Sequence, residues 1–318
     1  MIKKLLLALF ILCSTTAFAE SSGGPLLYKN QFPLFTHLNT PYFEKAALET
    51  SFSATLSHSS VYLVKESAEW SIGLDMEVTE LSLRYRKKVS GNLELGAELP
   101  FLSLNSGFLD APLDAYHSAF GFPDYGRSNR PDNDFLYSVK KNGTAIISGK
   151  GGGVGPGDLR LTIKRAISED PAVSLMATIE LPSGDAGEGY GNGSLDAGAL
   201  VLLDKRLGER FTLYGNAGIF FPGDLKGENT IELKEYIFLG AAIEAALYKE
   251  LSLIGQLYLE TSPYPSTGIA ELDRNGVLLS LGGRYGAGAG LYEFTFTEDP
   301  GVSGAPDFSF SLSFKRVF

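Results

Sequence analysis

His58-Ser59-Ser60 places an imidazole two residues before a hydroxyl, and on a β-strand that spacing puts both side chains on one face. An imidazole within reach of a serine can take its proton and make it a nucleophile toward an ester. The sequence offers no third residue that would orient the histidine, so the competing reading is a polar histidine at a rim. A second set is ionic. Asp75, Glu77, Arg84, Arg86, Glu94 and Glu98, and later Arg160, Glu180, Arg284 and Glu293, alternate with apolar residues. Charges at this density on one face of a sheet either pair with one another or line a path for ions. The third set lies in Pro100–Gly157, where Tyr116, His117, Phe122, Tyr125, Arg127 and Arg130 combine aromatic surface with guanidinium groups. Arg127 and Arg130 could pair with Asp124, Asp132 and Asp134. That loop is then a binding site, a constriction or a rigid cap.

Other chemistries are poorly served. Gly151–Gly157 lacks the lysine and hydroxyl residue of a phosphate loop. Gly187–Gly193, with Asp185 and Glu188, does not have EF-hand spacing. His37, His58 and His117 are too dispersed to argue for a metal, and no cofactor is implied. The only cysteine is Cys13, inside a segment read below as a removed signal, so thiolate chemistry is excluded. A net charge of −10 disfavours nucleic acid as a partner.

The elements that position these residues begin after an export signal. Lys3 and Lys4, the apolar run Leu5–Leu12, and Ala17-Phe18-Ala19 form a secretory signal peptide over residues 1–19, cleaved after Ala19. No later stretch has the ~18 apolar residues of a membrane helix. Residues 20–45 contain Pro25, Pro33 and Pro41 without a sustained period. They form either a periplasmic tail or a plug inside a lumen.

From Ala46 onward, apolar and polar residues alternate with period two, which predicts strands. Leu48–Ser57 is the first. In Trp70–Val78 the apolar positions are even, and the pattern continues on odd positions from Leu81, so a β-bulge is expected at Thr79-Glu80. Asp75 and Glu77 then share the inward face with Arg84 and Arg86. The segments number about twelve, most near the ~9–11 residues a tilted membrane strand needs. Their connections alternate between short turns such as Lys249-Glu250 and long loops such as Pro222–Glu235. This predicts an all-β protein: a closed antiparallel transmembrane β-barrel over residues 46–318, with short periplasmic turns and long external loops, the largest being 100–157. Outer-membrane lipid would surround it. The last strand, DFSFSLSFKRVF, puts Phe308, Phe310, Leu312 and Phe314 on one face and serines on the other.

That final stretch resembles the closing strand of bacterial outer-membrane barrels, which implies that Phe314 and Phe318 serve the barrel-assembly machinery as a signal. Several blocks, among them KNQFPLF (Lys29–Phe35), YHSAFGFPDYGRSNRPDNDFLY (Tyr116–Tyr137), LPSGDAGEGYGNGSLDAG (Leu181–Gly198) and TEDPGVSGAPDF (Thr297–Phe308), resemble an uncharacterised family of Gram-negative outer-membrane proteins, a domain of unknown function. Leu-Pro-Ser-Gly-Asp is also similar to stretches of outer-membrane transporters for aromatic compounds. His58-x-Ser60 is similar to the pair in outer-membrane phospholipases and lipid A deacylases. The expectation is passive passage or binding of a small-molecule solute in the outer membrane. A lipid esterase using His58 and Ser60, and a structural barrel with a filled lumen, are the alternatives.

Overall fold

The computed structural model describes residues 23–36, 38–121, 126–301 and 304–318, without the side chains of Thr36, His117, Phe120 and Ser128. The expected signal peptide, Phe122, Tyr125 and the side chain of His117 lie outside the described residues.

Alternation becomes strands wherever one face can meet lipid and the other a polar interior. In chain order these are β1 (Ser51–Glu66), β2 (Trp70–Ser90), β3 (Leu93–Asn105), β4 (Leu136–Lys141), β5 (Thr144–Ser148), β6 (Gly153–Pro156), β7 (Leu159–Glu169), β8 (Ala172–Leu181) and β9 (Asp196–Leu207). They continue as β10 (Phe211–Phe221), β11 (Leu225–Lys226), β12 (Thr230–Ile231), β13 (Tyr236–Ala246), β14 (Leu251–Glu260), β15 (Gly276–Ala287), β16 (Gly290–Glu298) and β17 (Phe308–Val317). Twelve of them close a barrel of antiparallel neighbours in the order β1-β2-β3-β7-β8-β9-β10-β13-β14-β15-β16-β17. β17 pairs back onto β1, from Ser51 opposite Val317 to Ser60 opposite Phe308. The remaining strands belong to the external loops.

Leu175, Val201, Leu239, Leu257, Leu281 and Leu312 are all exposed on the outside. Bulky apolar side chains left uncovered on strand after strand make a lipid-facing band. The inside is divided along its axis. Toward the short turns it is ionic; toward the loops it is an apolar core that includes Trp70, Leu74, Leu102, Val139, Phe238 and Tyr258.

The expected bulge at Thr79-Glu80 is absent. β1 and β2 stay in continuous register from Ser51–Arg86 to Glu66–Ser71, so one parity of β2 faces inward throughout. Trp70, Ile72, Leu74, Met76 and Val78 therefore face the apolar upper lumen, and Glu80, Ser82, Arg84 and Arg86 continue the same face below. The apparent slip is a change in what the interior requires, not a change of face. Asp75 and Glu77 are consequently on the outer side of the wall, a correction to their expected place in the lumen. Both are nevertheless buried, because part of the long loop covers them.

That loop divides. The stretches 106–121, with helix α1 (Asp110–Phe120), and 126–135 lie against the outer wall. The hairpin β4–β5 turns at Asn142-Gly143, both with positive φ as a tight hairpin needs. It extends the top of β2 and carries Tyr137, Val139 and Ile147 into the core.

Candidate functional site: the occupied lumen

Residues 23–36 and 38–47 run through the barrel as the two limbs of a hairpin. One limb rises from the short-turn end, Pro33–Thr36 make a helical turn near the external mouth, and residues 38–47 descend to β1. A buried backbone without secondary structure must find other hydrogen-bond partners, and here barrel side chains supply them. On the rising limb, Lys315 Nζ donates to Gly23 O (3.0 Å), Arg284 Nη2 donates to Gly24 O (2.7 Å), and Gln256 Oε1 and Glu293 Oε1 accept from the amides of Leu26 (3.0 Å) and Leu27 (2.6 Å). At the apex the Tyr264 hydroxyl donates to Leu34 O at 2.8 Å. On the descending limb, Asn216 accepts from Glu44 N (2.8 Å) and donates to Glu44 O (2.9 Å), as a neighbouring strand would. Below it, the Asp204 carboxylate accepts from the amides of Ala46 and Ala47, both at 2.9 Å.

Side chains of the plug then neutralise the lumen charges. Glu44 lies between Arg84 and Arg86. Lys29 lies between Glu80 (3.0 Å) and Glu98 (3.2 Å). Glu94 pairs with Lys164 at 2.8 Å. Phe43 packs edge-on against Phe238, with ring centroids 6.1 Å apart, over the bare Cα of Gly240. Arg84, Arg86, Glu94 and Glu98 thus occupy the lumen, and each is engaged by the plug or by the wall. The cavity left beside Gly23, Glu44, Arg84 and Lys164 holds about 30 Å³, room for a couple of waters. A wider vestibule of about 460 Å³, lined by Lys45, Asp204, Arg206 and Glu244, opens at the short-turn end. Among the described residues, the plug fills the lumen between that vestibule and the external loops.

On the outer wall, His58 and Ser60 share the lipid-side face of β1, as their spacing requires. The imidazole contacts Glu77 Oε2 through Nε2 (2.7 Å) and Thr79 Oγ1 through Nδ1 (2.8 Å), and it stacks under Phe108. With both ring nitrogens engaged, the histidine has no nitrogen left to deprotonate Ser60. Glu77 also accepts the backbone N–H groups of Phe108 (2.7 Å) and Leu109 at the start of α1. The cluster is therefore a fastening for the helix. Arg127 and Arg130 complete it. Arg127 pairs with Asp110 and with Asp307 (2.6 Å), and Arg130 with Asp75 and Asp134 (both 2.5 Å). Burial opposes the Arg127 charge, but the Asp307 and Asp110 carboxylates prevail and raise its pKa above the ordinary arginine value. Of the loop residues singled out in sequence, these two arginines secure the segment. Tyr116 stands apart from them, beside Glu298.

The profile of DUF3187, a family described as proteins of unknown function, matches residues 2–318. The chain belongs to this family. No curated protein matches the sequence. Among solved structures, the COG4313 outer-membrane channel from Pseudomonas putida F1 is similar, with a TM-score of 0.58 and 16% identity over 87% of this chain and 98% of that one. The NanC porin (TM-score 0.46, 10% identity, 84% of this chain and 98% of that one) and the Pseudomonas putida toluene transporter TodX (0.41, 10%, 91% and 93%) are more remote. The first of these shares the outer-membrane barrel fold.

Sequence reasoning missed the plug's mode of attachment and the fastening of α1. Neither leaves a periodic signal. Asn216 and Asp204 look like any other inward polar residue of their strands until a second backbone lies beside them.

Proposed function

We propose that this DUF3187 barrel sits in the outer membrane and passes small molecules through its lumen, with residues 23–47 as a plug that must shift before passage. The observation that carries this reading is the occupied interior: a polar lumen whose charges are matched by a segment with both ends at the short-turn, periplasmic side. A barrel serving only as scaffold has no need of a lumen so densely charged, nor of a separate segment to fill it. The shared fold with an outer-membrane channel supports the same reading. Export through the signal at residues 1–19, and delivery to the barrel-assembly machinery through Phe314 and the exposed terminal Phe318, belong to this proposal.

The test is conductance in planar bilayers. The full chain should pass little current, and a chain lacking residues 23–45 should form a steady conducting pore. Silence from both forms, each inserted as a folded barrel, removes the channel reading.

A further inference from the structure

The inward face of the barrel is not uniform around its circumference. Reading across the closing seam by register, one row runs Ser280, Thr297, Ser309, Ser59 on β15, β16, β17 and β1. The next is Thr295, Ser311, Ser57, and the next Ser313, Thr55, Ser82. All ten side chains are buried and face inward. Over these ten positions the rows bear hydroxyls alone; Glu293 beside Ser313 and Glu80 beside Ser57 bound them, and the other ion pairs of the lumen stand around and below. The rising limb of the plug lies against this sector. Leu26 fills the space that a Cβ on Gly282 would occupy, and the Tyr28 hydroxyl faces Ser309. Some of the hydroxyls satisfy one another, as in Ser280–Thr297 (2.7 Å) and Ser313–Thr55 (3.1 Å). Among the described residues, Ser59, Thr295 and Ser311 have no hydrogen-bond partner though fully buried, and neither amide atom of Gln31 on the limb has one. Buried polar groups left this way are sites for water or a ligand.

We propose that the hydroxyl sector is the conducting path, opened when the rising limb moves, and that it takes uncharged, hydroxyl-rich solutes. This rests on the channel reading above. Three physical reasons favour the sector over the rest of the wall. Serine and threonine are the smallest side chains able to hydrogen-bond in both directions, so the gap is widest there once the limb has gone. Within each row the hydroxyls stand ~4.8 Å apart across neighbouring strands, and they offer repeated donors and acceptors that replace a solute's hydration. The opposite side is closed by buried ion pairs and by the descending limb, which continues directly into β1. A charged solute would have to break those pairs or leave its counter-charge behind, at the cost of burying an unpaired ion.

Liposome swelling tests this. The variants are the chain lacking residues 23–36, and the same deletion carrying Ser311→Cys on the hydroxyl sector or Thr178→Cys on β8 across the barrel. Each cysteine is modified with a bulky thiol reagent after insertion, so that folding, read by heat-modifiable migration, precedes the block. Xylose and gluconate are the neutral and charged probes. The deletion should raise xylose swelling at least tenfold over the full chain and favour xylose over gluconate. Modification at position 311 should cut xylose flux at least fivefold, and modification at position 178 less than twofold. If the deletion does not insert, the full chain with Glu44→Ala carries the same two cysteines and the same expectations. A stronger block at 178 than at 311, no block at 311, or gluconate as fast as xylose overturns the hydroxyl path and leaves a channel of another route. No swelling from any folded form overturns the channel itself, and the inference with it.

Discussion

Replacing Glu44 with alanine should unseat the plug without touching the barrel. The carboxylate is the shared partner of two buried guanidinium groups, Arg84 and Arg86. Removing one member of a buried ionic set costs ~3–5 kcal/mol because the remaining charge is left uncompensated. Here the lower end applies, since Glu98 stands 3.6 Å from Arg84 and Glu94 4.0 Å from Arg86 and both would still shield them. The backbone bonds of Glu44 to Asn216 are retained in the variant. A loss of about 3 kcal/mol is on the order of a hundredfold in the ratio of unseated to seated plug. In the unseated state Arg84 and Arg86 regain water, so the penalty falls on the closed form alone. Planar-bilayer recordings should then show the open probability rising by up to that factor at unchanged unit conductance, and limited proteolysis should cleave within residues 23–47. If the Glu44→Ala chain stays as closed and as resistant as the parent, while deletion of the plug opens it, the ion-pair account of closure is wrong.

Gly240→Val should act on the same equilibrium through packing. A Cβ at that position would fall on the Phe43 ring, so conductance should rise with the barrel intact; unchanged closure would show that Phe43 is dispensable. Glu77→Ala removes the acceptor for two amides at the start of α1 and for His58. Each unsatisfied group costs ~1–3 kcal/mol, so hydrogen exchange within 106–121 should accelerate at least tenfold while the β-strands stay protected. Equal protection in parent and variant would refute the fastening. Neither the parent nor His58→Ala nor Ser60→Ala should release fatty acid from phospholipid vesicles, and release abolished by both substitutions would restore the esterase reading. Leu312→Arg, in the middle of β17 on the lipid face, should cost ~2–4 kcal/mol if it lies at the bilayer midplane. It should convert from the folded to the unfolded gel form at a lower temperature, and an unchanged transition would place Leu312 outside the membrane.

Most of the barrel was legible because lipid and lumen impose opposite demands on alternate residues. The closing pairing of β17 with the first strand follows from that rule, and so does the inward position of Arg84, Arg86, Glu94 and Glu98. The rule failed where the lumen is apolar. Alternation reports which face is apolar and not which face is inside, so it assigns Trp70, Ile72, Leu74, Met76 and Val78 to the lipid side. Asp75 and Glu77 were misplaced by the same step. Residues His58–Glu66 fall outside the first strand that alternation predicts, Leu48–Ser57, for a related reason: toward the loops both faces of β1 are largely covered, and the contrast between them fades. Helix α1 left little trace because it packs on a barrel exterior, where its partners are Glu77 and its neighbours on β2.

Topology explains why the plug is a hairpin. An even number of strands places the start of β1 and the end of β17 at the same, short-turn end. A plug that precedes β1 must finish at that end, and Gly23, held by Lys315 of β17, begins there too. It has to ascend and return. The rise from Gly23 to Pro33 is ten residues, which at ~3.3–3.6 Å each span about 33–36 Å. That just exceeds the ~30 Å hydrocarbon thickness, and the turn at Pro33–Thr36 does arrive beneath external residues, with Tyr264 on Leu34 and Tyr137 on Pro33. Shortening the rising limb by three residues, Asn30, Gln31 and Phe32, would leave it about 10 Å short. The apex could then no longer reach Tyr264 while Gly23 stays with Lys315. One of the two attachments must break, and if the periplasmic one yields, the limb is drawn off Arg284 and Glu293, which are its anchors beside the hydroxyl sector.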